Sequence, residues 1–382
     1  MVPSYGKSTT ASSAADNVMM RWWLWLTSAA LWGCAGAAPV AHPTPTPAPQ
    51  DTPPRIVVFI ADGAGTGYWT AAHFAADALA VHRFPVVGLV DVRSASSDIT
   101  DSAASATSYA CGVVTYNGAI GVDPDSVAVS TVLEMAAARG MATGLVATSS
   151  ITHATPAAFA AHVPSRAMQQ EIARQMVERR PTVVLGGGRK YFDPAARRDS
   201  LDLLRTIRDH YTYVQDAGEL GALRTDTVSA LFGLFAHEHM PAAADRTPTL
   251  QQMTEAALSI MGPDPDGFFL MVEASQPDWR GHDNAPLEAV TAEMLDLDRA
   301  VASALRFRER FPETLVVITA DHETGGLALQ HDESGSISAA YTSGGHTATM
   351  VPLFAIGPGA ERFGGIATND HVGRLLIELV RR

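Results

Sequence analysis

The sequence predicts an α/β protein, a three-layer α/β/α sandwich built around a central, mostly parallel sheet. Two observations carry this expectation. Apolar runs of strand length recur at IVVFIAD (56–62), ATGLVAT (142–148), TVVLGGG (182–188), FFLMVEA (268–274), TLVVITAD (314–321) and PLFAIGP (352–358). They are continuous rather than alternating, as in strands covered on both faces. Between them, helical periodicity appears over 127–140, 165–180, 249–262 and 287–310. Strands alternating with helices pair in parallel through helical crossovers.

With 382 residues, 47% of them hydrophobic, the chain can bury one large core. No internal repeat or second linker divides residues 55–382, which read as a single domain. A formal net charge of −13 argues against a nucleic-acid-binding or anionic-membrane surface, which needs clustered Lys and Arg. It does not exclude an anionic substrate, because bound metal inverts the sign of a pocket.

The N-terminal segment MRWWLWLTSAALWGCAGAAP (20–39) carries one Arg and then an apolar run from Trp22 to Trp32. That run is shorter than the roughly 20 residues that span a bilayer and fits the apolar region of an export signal. Residues 1–34 therefore read as a leader starting at Met1 or Met20. Leu31-Trp32-Gly33-Cys34 resembles a bacterial lipobox, which would anchor the protein by lipid at Cys34. Cleavage after one of the Ala residues is the alternative. Residues 35–54, including APVAHPTPTPAPQDTPP, form a Pro-rich linker with almost no apolar content. An exported protein in the periplasm or at the outer cell surface is the expectation. The two cysteines, Cys34 and Cys111, are no disulfide framework, and Cys111 among small residues reads as a buried packing thiol.

In open α/β sheets, ligands bind beyond the carboxyl ends of the strands. Asp62 ends the first apolar run, Glu273 lies near the end of FFLMVEA, and Asp321 with His322 closes TLVVITAD. Thr155 follows ATGLVAT by a few residues, Asp278 comes soon after Glu273 with His282 four residues further on, and His346 stands later in the chain. Carboxylates gathered without Lys partners repel one another and rise in pKa. Cations are the expected remedy: mixed Asp and His ligands suit zinc, and Asp, Glu and Thr oxygens suit magnesium.

The stretch TDSAASATSYACG (100–112) places Ser102 after Asp101 and continues in residues of little volume. At a helix start, unpaired N–H groups and the dipole favour an anion. A metal on the Ser102 oxygen would lower the hydroxyl pKa and make it a nucleophile. Small residues behind it would let the helix approach the sheet edge. The plainer alternative is that Asp101-Ser102 only caps a helix.

These residues, continued to TDSAASATSYACGVVTYNGAIGVD, and the stretches ITHATPAAFAAHVPSR, VEASQPDWRGH, TADHETGG and SGGHT resemble alkaline phosphatases in order and spacing. The resemblance runs from Ile56 to about His346 and is loose over 189–266. It implies an alkaline-phosphatase-like catalytic domain that hydrolyses phosphate monoesters through a phosphoserine on Ser102. It implies two zinc ions and one magnesium. Asp62, shared with the magnesium, Asp321 and His322 would hold one zinc; Asp278, His282 and His346 would hold the other. Thr155 and Glu273 would complete the magnesium site, and Arg166 would grip two phosphate oxygens.

His153 stands where enteric bacterial members carry Asp, and Trp279 where they carry Lys; the pairing resembles marine bacterial members. His153 would lie behind the third metal's ligands, which leaves that metal open between magnesium and zinc. Trp279 removes a cation near phosphate, so weaker product binding is expected. The family is usually dimeric, and monomer and homodimer both stay open for a body this short. Phosphodiesterases and sulfatases of the same superfamily are alternatives, as is a metal- or phosphate-binding lipoprotein without turnover.

Other candidates have plainer readings. Gly186-Gly187-Gly188-Arg189-Lys190 lacks the spacing of a phosphate loop and reads as a strand-end turn. His237 and His239 read as surface or substrate-rim residues rather than metal ligands. His162 is expected to make a local hydrogen bond near Arg166. His73, His210, His331 and His371 lack a motif context.

Overall fold

A computed structural model describes residues 53–382. Residues 1–34, expected to form a leader, including Cys34, and most of the Pro-rich stretch lie outside the described residues. The strands are β1 (Arg55–Ala61), β2 (Val86–Asp91), β3 (Ala142–Ser150), β4 (Val183–Gly187), β5 (Thr212–Val214), β6 (Leu231–Leu234), β7 (Phe268–Ala274), β8 (Thr314–Thr319), β9 (Glu323–Thr324), β10 (Ala328–His331), β11 (Ile337–Ala340), β12 (His346–Thr347), β13 (Val351–Ile356) and β14 (Gly365–Thr368). The helices are α1 (Thr66–Ala75), α2 (Ser102–Cys111), α3 (Val132–Ala138), α4 (Ala154–Ala160), α5 (Gln169–Arg179), α6 (Leu203–His210), α7 (Ala217–Gly221), α8 (Leu250–Met261), α9 (Gln276–His282), α10 (Leu287–Arg310) and α11 (Asn369–Arg381).

Ten strands form one sheet in the order β14-β2-β13-β8-β1-β7-β3-β4-β6-β5. All neighbours pair in parallel except β13, which runs antiparallel to both β2 and β8. The expected mostly parallel sheet between helical layers is therefore present. The central strands β1, β7 and β8 are buried along nearly their whole length, which accounts for their continuous apolar sequences.

The boundaries are physical. The pattern at 127–140 becomes helix only at Val132, because Thr131 is its N-cap: its hydroxyl accepts from Glu134 N, and Glu134 returns a bond to Thr131 N. Helix α2 is buried along its whole length and ends at Gly112, a left-handed cap with φ 70°. It packs against α4 and α11. The approach to α11 is close: a Cβ on Gly373 would stand 2.2 Å from the Ser108 carbonyl oxygen. At Gly188 the chain leaves β4 with φ 96° and enters a short 3-10 turn, as expected of a strand-end turn. Cys111 is buried, with its thiol donating to Val129 O, and burial pushes its pKa up. Among the described residues, no helix is long and apolar enough to cross a membrane.

Candidate metal centre and nucleophile

Three adjacent strands deliver acids to one edge of the sheet. β1 lies between β7 and β8, and Ile60 is in register with both Glu273 and Thr319. The chain leaves β1 at Asp62, which is fully buried, and leaves β8 toward Asp321 and His322, also fully buried. Gly63, with φ 74°, turns the backbone away; a side chain there would collide with Asp278 Cα at 2.6 Å. The amides of Gly63 and His322 donate to Asp321 Oδ1 at 3.1 and 3.0 Å. Its other oxygen has no partner.

The remaining residues come from helices and loops around this edge. Thr155 and His153 stand on α4 and at its N-cap, just past β3. Asp278 and His282 lie on α9, and His346 on β12. Potential ligand atoms converge in three overlapping groups: Asp62, Asp321 and His322; Asp278, His322 and His346; and Asp62, His153 and Glu273. His322 Nε2 lies 3.4 Å from Asp62 Oδ1 and 3.3 Å from Asp321 Oδ2. His282 and His346 point Nε2 at Asp278 Oδ1, at 3.4 and 3.6 Å, while their Nδ1 atoms face the carbonyls of Gly344 and Thr100. Those carbonyls accept hydrogen bonds from Nδ1–H, which leaves the Nε2 lone pairs directed inward.

Electrostatics say what such a cluster lacks. Both oxygens of Asp62, Oδ2 of Asp321, Oε1 of Glu273, Oγ1 of Thr155 and Nδ1 of His153 are buried without a hydrogen-bond partner. Among the described residues, no Lys or Arg pairs with Asp62, Glu273, Asp278 or Asp321. Burial, reinforced by Asp321 and the other acids, pushes Asp62 well above the usual carboxylate range. Burial likewise raises Asp321 and pushes Glu273 up to about 7. Burial holds His322 and His153 down at about 3, with neighbouring His346 and Arg166 adding to it. Neutral imidazoles beside crowded acids with unpaired oxygens are a donor set for divalent cations.

Ser102 begins α2 at this spot. Its Oγ lies 3.1 Å from His322 Nε2 and the residue is 2% exposed. Asp101 does cap the helix, accepting from Ala104 N at 3.0 Å, so the plainer reading of that residue holds too. Yet its Oδ2 also accepts from Arg166 Nη1 at 3.0 Å. Arg166 is further held by its own amide, which donates to Gly118 O, and by Nη2 facing His153 Nε2 at 3.2 Å. The half-buried guanidinium thus stands beside the start of α2 with its fork fixed.

The structure brings together every residue that the sequence marks out for this site, with His282 on its exposed side. A ring nitrogen of His153 lies close to Asp62 and Glu273, while its Nε2 faces Arg166. Trp279 lies on α9 at the same rim, with ring centroids 6.5 Å from His153 and 4.8 Å from His239. His239 is half-buried in that aromatic group, whereas His237 is exposed. His162 bonds Gly121 O and Glu134, a local role as expected.

Comparison with known proteins agrees with this architecture. A family model described as alkaline phosphatase matches residues 54–337. Alkaline phosphatase 3 of Bacillus subtilis is 40% identical over 74% of this chain, and the match spans 64% of that protein's own length. The alkaline phosphatase of Escherichia coli K12 is 32% identical, covering 83% of this chain and 84% of its own. The structure of alkaline phosphatase from the Antarctic bacterium TAB5 superposes with a TM-score of 0.81 at 36% identity, covering 86% of this chain and 99% of that one. Two variants of that Antarctic protein, with one histidine replaced by Glu or by Asp, have magnesium bound in the M3 site. A matching family model over most of the chain, with relatives of this similarity, makes the protein a member of the alkaline phosphatase family.

Proposed function

We propose that this chain is an exported, metal-dependent phosphomonoesterase that releases inorganic phosphate through a phosphoserine on Ser102. The observation that most strongly supports it is the Ser102 hydroxyl, 3.1 Å from His322 Nε2, at a helix N-terminus beside the clustered acids. Zinc would be held by Asp62, Asp321 and His322, and a second zinc by Asp278, His282 and His346. The third ion would take Asp62, Glu273 and Thr155, with His153 behind them, its Nε2 accepting from Arg166. Oxygen ligands of this kind suit magnesium. Bound ions of this kind supply Lewis-acid chemistry, lowering the hydroxyl pKa of a nucleophile and stabilising a departing oxygen.

The chain's own residues set the geometry. Arg166 receives two phosphate oxygens on its fork, oriented by Asp101 and His153. The N–H groups at the start of α2 add partial positive charge toward the same anion. Ser102 Oγ gives up its proton and attacks phosphorus; the Oγ–P bond forms as the ester P–O bond breaks in line, and the departing oxygen takes up a proton and leaves as the alcohol. Water then loses a proton and attacks phosphorus from the vacated side, the Oγ–P bond breaks, and Oγ takes up the proton that water released. Residues 55–382 would form the catalytic domain, carried by a leader over 1–34 and a spacer over 35–54 to the periplasm or cell surface.

Hydrolysis of p-nitrophenyl phosphate, with and without chelator, tests this directly. Expected are loss of turnover on chelation, recovery on adding zinc and magnesium, and a Ser102→Ala protein that binds metal without turnover. Turnover indifferent to both manipulations would refute the assignment. Metal bound without hydrolysis in the parent would favour a binding protein, and faster cleavage of sulfate esters or phosphodiesters would favour those superfamily activities.

A further inference from the structure

His239 is absorbed by none of the roles above, yet it occupies the centre of the rim. Its ring meets Trp279 edge-on at 4.8 Å and 72°, and His153 at 5.6 Å and 89°. Trp279 and His153 themselves are 6.5 Å apart, so His239 stands as a wedge between them. Edge-to-face aromatic pairs at these separations are attractive and direction-dependent.

The wedge is anchored. His239 Nδ1 accepts from Ser150 N at 3.0 Å, at the end of β3, which places the ring proton on Nε2. The loop that carries it is tied on several sides. Gln276 Nε2 donates to Met240 O, Pro241 O and Thr148 O at 2.8, 3.1 and 3.1 Å. Buried Arg246 donates to Pro241 O and pairs with Glu293 and Asp296 of α10, each at 2.7 Å. A β-carbon on Gly187 would stand 2.3 Å from Glu238 O, so the loop lies directly on the end of β4. A side chain presented from a backbone this constrained transmits position to what it touches.

We infer that His239 is a positioning residue: its ring holds Trp279 and His153 in place, and through His153 Nε2 it fixes the Arg166 fork on which phosphate is received. The inference rests on the phosphate reading of the site. It assigns the effect to the ring, and the Ser150 bond only to holding that ring still.

Two substitutions separate these parts. His239→Asn keeps an acceptor for Ser150 N–H and removes the ring; His239→Phe keeps the ring and removes the acceptor. Inorganic phosphate binding is measured by calorimetry on the metal-replete full chain, alongside KM, kcat and the melting temperature. The Asn protein is expected to melt near the parent but to bind phosphate about three- to tenfold more weakly, with KM rising more than kcat falls. The Phe protein is expected to melt lower yet to bind phosphate within about twofold of the parent. Equal losses in both, losses only in Phe, or an Asn protein that fails to fold would overturn the inference, because each makes His239 a purely structural residue. A parent that binds no phosphate would instead remove the reading of the site on which it rests.

Discussion

Stripping the divalent ions should leave a protein in which Glu273 opposes folding as the pH rises to neutrality. The carboxyl is buried between β1 and β3, and in the metal-free chain burial raises its pKa from 4.5 to about 7. In the unfolded chain it ionises near about 4.3. Between these values the native state binds more protons than the unfolded state, so stability falls with rising pH and levels off above about 7. The gap between 4.5 and about 7 is worth about 3 kcal/mol at about 1.4 kcal/mol per pH unit. Asp62 and Asp321 are raised too and act in the same direction. His322 and His153 act oppositely: held at about 3, they bind fewer protons when folded, and their contribution grows until about pH 6.5. A difference measurement isolates the acid. Glu273→Gln has the same shape and cannot ionise. Urea denaturation of both chelated proteins at about pH 5 and about pH 8 should show the parent losing about 2.5 kcal/mol relative to the variant, the rest having gone below about pH 5 as the unfolded carboxyl ionises. Zinc and magnesium should abolish that loss, because cations compensate the ionised oxygens. A difference independent of pH, or a parent that gains on the variant, would refute the burial argument.

Other consequences are as specific. Ser102→Ala should lower kcat/KM by roughly 10³-fold or more while phosphate binding survives, since Arg166 and the metal ligands are untouched; parental turnover would exclude Ser102 as nucleophile. Trp279→Lys should strengthen inhibition by phosphate about fivefold, the effect of about 1 kcal/mol from a partly screened charge at the rim, and an unchanged inhibition constant would count against it. Gly373→Ala should cost about 1–3 kcal/mol in chemical denaturation, because its Cβ would meet the Ser108 carbonyl oxygen at 2.2 Å and push α11 from α2. Unaltered stability would show that the two helices have slack.

The sheet's centre was legible because burial on both faces leaves a mark that needs no partner to interpret: an unbroken apolar run. β1, β3, β4, β7, β8 and β13 all carry it. β2 and β14 do not, because Val87, Leu89 and Ile366 face outward at the sheet's edge and the runs are interrupted by glycine. β5 and β6 are only three and four residues long. Helix α4 has the opposite difficulty: ATPAAFA is buried on every side and so has no polar face from which a period could be read. The site acids were legible for a different reason. An Asp directly after an apolar run has few structural excuses, whereas one on a polar helix has many.

His239 shows where that logic stops. Two histidines at i, i+2 in AHEHM look alike in sequence, and both follow the same apolar run, LFGLFA. Their fates are set by contacts across the chain: Ser150 N–H reaches His239 and not His237, and Trp279 and His153 arrive from α9 and from the start of α4. A ligand is recognisable from its own chemistry, because a carboxylate buried without a cation is costly wherever it lies. A residue that holds a ligand still is not, since any ring of the right size in that place would do. The position of a side chain in such a site is therefore written in packing between elements remote in sequence, as in the cluster of His153, His239 and Trp279.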